Sequence, residues 1–126
     1  SNMMRLTKGQ TQNIILTLTE KELLTNPNYL FVFTNRSANT EVKFVKLNNT
    51  DISLYKDRYN EFSIVTNTNF ASSLNGQYDY EIYEQASPTN TNPVGLNMLE
   101  SGIMELIGTA MSFTEYSTTD TYKIRQ

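Results

Sequence analysis

The stretch Gly76-Gln77-Tyr78-Asp79-Tyr80-Glu81-Ile82-Tyr83-Glu84-Gln85 is a turn glycine followed by strict alternation of bulky and polar side chains. A period of two is the repeat of a β-strand, whose successive side chains leave opposite faces. Tyr78, Tyr80 and Ile82 therefore share one face, and Asp79, Glu81 and Tyr83 share the other. A strand with one buried face needs partner strands, and the chain supplies them.

Asn13-Ile14-Ile15-Leu16-Thr17-Leu18-Thr19 sets Ile14, Leu16 and Leu18 on one side and reads as a first strand. The 20–25 stretch has room for one helical turn, which Asn26-Pro27-Asn28 ends at once. Tyr29-Leu30-Phe31-Val32-Phe33-Thr34-Asn35 is apolar on both faces, the pattern of a central strand covered on each side. Beyond the polar turn 36–40, Val42 and Phe44 alternate with Lys43, so these two strands form a hairpin. Phe62 and Ile64 face the core from a further strand, and Phe70 and Leu74 are expected to tuck back as plugs. An apolar strand follows between Gly102 and Gly108, and 111–126 alternates again as a final hairpin or an arm that pairs with a neighbouring molecule.

The expected fold is all-β: an antiparallel immunoglobulin-like β-sandwich of seven or eight short strands. Residues 3–126 form one domain behind Ser1-Asn2, which reads as a cloning scar. In that topology Tyr78 sits where a tyrosine corner would lie, while as a plain core residue it would only set its hydroxyl at the rim. Both readings stay open from the sequence.

Composition narrows the chemistry. The chain has no histidine and no cysteine, which removes the commonest general base near neutral pH, disulfides and thiolate metal sites. The remaining carboxylate pair, Asp79 and Glu81, reads as the solvated face of a strand rather than a glycosidase pair. The oxygen-rich stretches 48–51 and 57–60 lack the carboxylate density of a calcium loop. No catalytic residue, cofactor site or metal site is therefore expected. The net charge of −3 is spread along the chain, without a nucleic-acid footprint or a polybasic membrane anchor. No apolar run has transmembrane length and no signal peptide is visible, so a soluble protein is expected.

Function is then expected in loops. The longest is 86–95, polar and turn-forming with two prolines, and its candidate partner contacts are Ser87, Thr89, Asn90, Asn92 and Val94, joined by Tyr116 and Tyr122 of the terminal strands. Tyr55, Tyr59, Tyr83 and Tyr116 are the tyrosines whose exposure would matter for binding sugar rings or a protein.

Several pieces occur in order: Asn13-Ile14-Ile15-Leu16-Thr17-Leu18-Thr19-Glu20-Lys21, Asn26-Pro27-Asn28-Tyr29-Leu30-Phe31-Val32-Phe33-Thr34-Asn35, Arg58-Tyr59-Asn60-Glu61-Phe62-Ser63-Ile64, and the 76–85 strand with Leu99-Glu100-Ser101-Gly102. This ordered set resembles small structural proteins of tailed bacteriophages, more narrowly those of Bacteroidetes hosts, including crAss-like phages. The resemblance runs from about residue 16 to residue 106. It implies a virion component of the capsid or tail, made in the host cytoplasm, that acts by contacts with other virion proteins or with copies of itself. It carries no catalytic motif, and the competing expectation is a module that grips host-surface glycans.

Overall fold

The computed structural model describes residues 2–108, and nearly all of its regular structure is β. Seven strands are present: β1 (Asn2–Thr7), β2 (Thr11–Leu16), β3 (Asn28–Asn35), β4 (Glu41–Lys46), β5 (Asn60–Val65), β6 (Gly76–Gln85) and β7 (Asn97–Ile107). Two 3₁₀ turns, Thr19–Lys21 and Asn48–Thr50, and one four-residue helix, α1 (Thr66–Asn69), complete the regular elements. The 111–126 arm lies outside the described residues.

The strands form a five-stranded sheet in the order β1-β7-β6-β3-β4 and a two-stranded sheet, β2-β5. The expectation of purely antiparallel pairing is corrected at one edge. There β1 runs parallel to β7, from Asn2 opposite Gly102 to Thr7 opposite Ile107, and the larger sheet is mixed. β1 and β2 are joined by a short turn at Gly9 (φ 84°) yet belong to different sheets. That split spares β1 the hairpin it would otherwise make and sends it to β7.

Alternation along each strand fills the space between the sheets. From the larger sheet come Tyr29, Phe31 and Phe33 of β3, Tyr78, Tyr80 and Ile82 of β6, and Met104 and Leu106 of β7. Ile14, Leu16, Phe62 and Ile64 meet them from the smaller one. Phe62 sets its ring edge against Tyr29 at 5.4 Å and Phe31 at 6.0 Å between centroids, the edge-to-face geometry that ring quadrupoles favour. β3 is an interior strand beside the β4 edge and is buried along most of its length, with Leu30 and Val32 covered on the outer face between β4 and β6.

The two expected plugs part company. Phe70, carried in by α1, is fully buried with its ring edge 5.1 Å from Phe33, whereas Leu74 is 58% exposed. Leu74 contributes its backbone instead: the buried Tyr78 donates its hydroxyl to the Leu74 carbonyl at 2.6 Å.

Two substitutions separate packing from this hydrogen bond. Phe62→Ala, which opens a cavity where the sheets meet, should cost about 3–5 kcal/mol in urea unfolding. Tyr78→Phe removes one hydrogen bond and keeps the ring, so a cost of about 1 kcal/mol is expected.

Candidate functional site

The 86–96 connection between β6 and β7 is exposed at Thr89, Asn92 and Val94 and half-buried at Ser87 and Asn90. Ser87, Asn90 and Asn92 spend their side chains on the loop itself. Ser87 Oγ accepts from the Thr89 and Asn90 amides, Asn90 Oδ1 from the Asn92 amide, and Asn92 Oδ1 from the Val94 amide. These are the short-range side-chain-to-backbone bonds that Ser and Asn make in turns. Asn90 Nδ2 also donates to Gln85 Oε1, and Gln85 Nε2 returns bonds to the carbonyls of Ser87 and Asn90. The loop is a self-bonded scaffold that presents Val94, 83% exposed, at its surface. Of the remaining sequence candidates, Tyr116 and Tyr122 lie outside the described residues.

A second connection packs beside it. Leu23 and Leu24, exposed to 81% and 44%, follow the Thr19–Lys21 turn and share an apolar hollow of about 200 Å³ with Gly95, Leu96 and Asn97. The fastening is Glu84, a buried carboxylate near the end of β6. It accepts from the Leu23 amide at 2.9 Å, the Leu24 amide at 3.0 Å and the Asn97 side-chain amide. Burial raises the Glu84 carboxyl, but the Asn97 bond and the two backbone bonds outweigh it and hold it below the ordinary 4.5. Glu22, which accepts the Tyr29 hydroxyl, goes the other way. Burial lifts it, the Tyr29 bond opposes that lift, and nearby Glu84 and Asp51 add to it.

Sequence reasoning passed over Leu23, Leu24 and Glu84. For Glu84 a signal existed, because position 84 continues the inward parity of 78, 80 and 82. For the two leucines there was none, since their exposure depends on what the loop leans against.

The other acidic groups are taken up locally. Asp79 pairs with Arg36 at 3.4 Å and Glu81 accepts the Tyr83 hydroxyl at 2.6 Å. Both line, with Ser101, an open depression of about 380 Å³ on the outer sheet face. Burial and the Glu81 bond push the Tyr83 hydroxyl up to about 12, so it stays a donor at neutral pH. Asp51 is buried and accepts from the amides of Ser53 and Glu61 and from Asn60 Nδ2, while Asn60 Oδ1 caps the Leu18 amide. Among the described residues no three acidic side chains converge as metal ligands would, and no helix is long and apolar enough to cross a membrane. Of the four marked tyrosines, Tyr55 is 57% exposed, with the Arg58 guanidinium 5.8 Å from its ring centroid. Tyr59 and Tyr83 are half-buried.

These carboxylates give the fold a pH dependence of definite sign. Glu84 has a lowered folded pKa, so its contribution is present above 4.5 and is lost as pH falls through that folded pKa. Glu22 has a raised one, so it favours folding below 4.5 and its contribution fades as pH rises through its folded pKa. Glu84→Gln should destabilise the protein at pH 7 by about 1–3 kcal/mol, because an amide cannot accept all three bonds. The variant should also lose less stability than the parent on acidification below 4.5, read by urea unfolding against pH. Compared with known proteins, the chain matches no family model and none of the curated proteins.

Proposed function

We propose that this protein is a non-enzymatic structural component of a tailed-phage virion, associated with the capsid or the tail, that acts through contacts between subunits. The ordered resemblance over residues 16–106 supports the phage setting. The contact reading is carried by one observation: at one end of the sandwich, Leu23, Leu24 and Val94 stand exposed on connections that Glu84 and the loop's own hydrogen bonds hold in place. Apolar side chains on a fixed frame suit a repeated protein interface, since little ordering entropy remains to be lost on docking. The carboxylates act as fastenings within the chain, which favours binding over catalysis.

The finer fold reading belongs to the same proposal. An immunoglobulin-like frame has a larger sheet ordered G-F-C-C′ against a sheet containing B and E. The order β7-β6-β3-β4 facing β2-β5, with the Tyr78–Leu74 bond at the start of β6, supports that assignment.

Quantitative mass spectrometry of purified particles tests the function. Capsid-wide copy numbers would indicate decoration and a few copies a tail or portal position, while absence from the particle would overturn the reading. The alternative, a glycan-binding module, draws on Tyr55, whose exposed ring offers a stacking face for a sugar. If that reading holds, glycan-array binding should be present in the parent and lost in Tyr55→Ala.

A further inference from the structure

The sandwich has four strand edges, and three of them are blunted. β4 carries Glu41, Lys43 and Lys46, charges of the kind that discourage edge pairing. The outer edge of β5 is occupied within the chain, where the Glu61 amide donates to Asp51 Oδ1 at 3.0 Å and the Ile52 amide donates to the Glu61 carbonyl at 2.9 Å. β1 carries Arg5, paired with Glu105 at 3.3 Å. β2 is different. Among the described residues its single sheet neighbour is β5, and the six residues of its edge carry no charged side chain.

The direction of its backbone groups follows from the ladder. The Thr66 amide donates to the Gln10 carbonyl at 3.1 Å, so position 10 forms a hydrogen-bonded pair with 66, and by alternation Gln12, Ile14 and Leu16 turn their backbone groups to β5. Thr11, Asn13 and Ile15 turn theirs to the open side. Along that side runs a cleft of about 360 Å³, walled by residues 13–17 of β2 and its continuation and by residues 3–5 of β1. Tyr80 and Glu100 lie in its lining. Glu100 is 6% exposed, and among the described residues the Tyr80 hydroxyl, at 2.8 Å, is its one hydrogen-bond donor. The exposed Ile15 and Met3, at 66% and 64%, flank the opening.

We infer that this cleft is a strand-acceptor site filled by residues 111–116 of a second copy of the chain. The inference deepens the assembly reading above and rests on it. Met111-Ser112-Phe113-Thr114-Glu115-Tyr116 matches the six-residue length of β2 and alternates so that Met111, Phe113 and Glu115 share one side. Turned inward, Met111 and Phe113 cover the apolar wall of the cleft at Met4, Ile14 and Leu16, with Glu115 toward the end of the segment. Ser112, Thr114 and Tyr116 then face out on the same side as Ile15. Main-chain bonds to Thr11, Asn13 and Ile15 supply affinity, as in other strand additions to a free edge.

Geometry favours a second copy over the same chain. The Lys8 amide donates to the Ile107 carbonyl at 2.9 Å, and the Thr66 hydroxyl ties Thr7 to Gln10. The β1–β2 turn therefore closes the cleft at the end where β7 leaves the sheet. Gly108, the last described residue, lies at the shut end of its own cleft, whereas a neighbour's segment has the open side. Such a contact joins two different surfaces, so it either closes as a reciprocal exchange between two copies or propagates head-to-tail into rings or filaments.

The chain has no cysteine, so introduced cysteines report only the designed contact. Full-length Ile15→Cys is mixed with full-length chains carrying a single cysteine at each of positions 111–116 in turn. The mixtures are oxidised, and disulfide heterodimers are identified by intact mass, with circular dichroism confirming that each variant is folded. Heterodimers at Ser112→Cys, Thr114→Cys and Tyr116→Cys, lost at Met111→Cys, Phe113→Cys and Glu115→Cys, are expected. No heterodimer, or equal yields at all positions, would overturn the inference. So would an intramolecular disulfide in a chain carrying both Ile15→Cys and Thr114→Cys, because the segment would then occupy its own cleft. Presence of the protein in virions without these cross-links would leave the structural reading standing and remove this one.

Discussion

The structure depends on one contact, the meeting of the two-stranded sheet with the aromatic row of β3. Two strands alone are marginal in water. β2 and β5 persist because Ile14, Leu16, Phe62 and Ile64 press onto Tyr29, Phe31 and Phe33, with Phe62 edge-on to two of these rings. The larger sheet gains equally, since its inner face would otherwise be wet. Phe44 and Phe70 extend the aromatic contact toward the β4 side, where Phe44 stacks on Phe31 at 5.4 Å and Phe70 meets Phe33.

Around this core the buried polar groups act as fastenings for connections. Glu84 holds the Leu23–Leu24 stretch, Asp51 and Asn60 hold the segments flanking β5, and Thr66 holds the β1–β2 turn. Each offers the amides or carbonyls of a loop the partners they would lose on leaving water. Satisfying them costs the protein its most conspicuous acidic groups as reagents. Rigid connections bearing exposed apolar residues are the other result, and on them the proposed subunit contacts rest.

Glu100 departs from this pattern. It lies on the inward face of β7, opposite Ile82, and beside it the sandwich is open between β1 and β2. Among the described residues, the same split that sends β1 to β7 leaves β2 with an unpaired side. Fold closure and the proposed assembly are thus two outcomes of one topological choice.

Much of the fold was legible in the residues. The bounds of the Gly76–Gln85 strand, the inward set of Ile14, Leu16 and Leu18, the interior place of β3 and the burial of Phe62 and Ile64 all follow from period and composition, because alternation fixes which side chains share a face. What alternation cannot fix is which strand lies beside which. The parallel pairing of β1 with β7, the separation of β1 from β2, the exposure of Leu23, Leu24 and Leu74 and the cleft over Glu100 all depend on contacts between residues far apart in the chain. The candidate loop was visible as an irregular polar stretch, but the leucines beside it and the carboxylate that joins them were not. The sequence by itself determined most of the strands and their buried faces, since those are local properties of the backbone, but not β1, which only its pairing with β7 reveals. Only the tertiary structure decided the neighbours, and with them which edges and side chains remain free to meet another molecule.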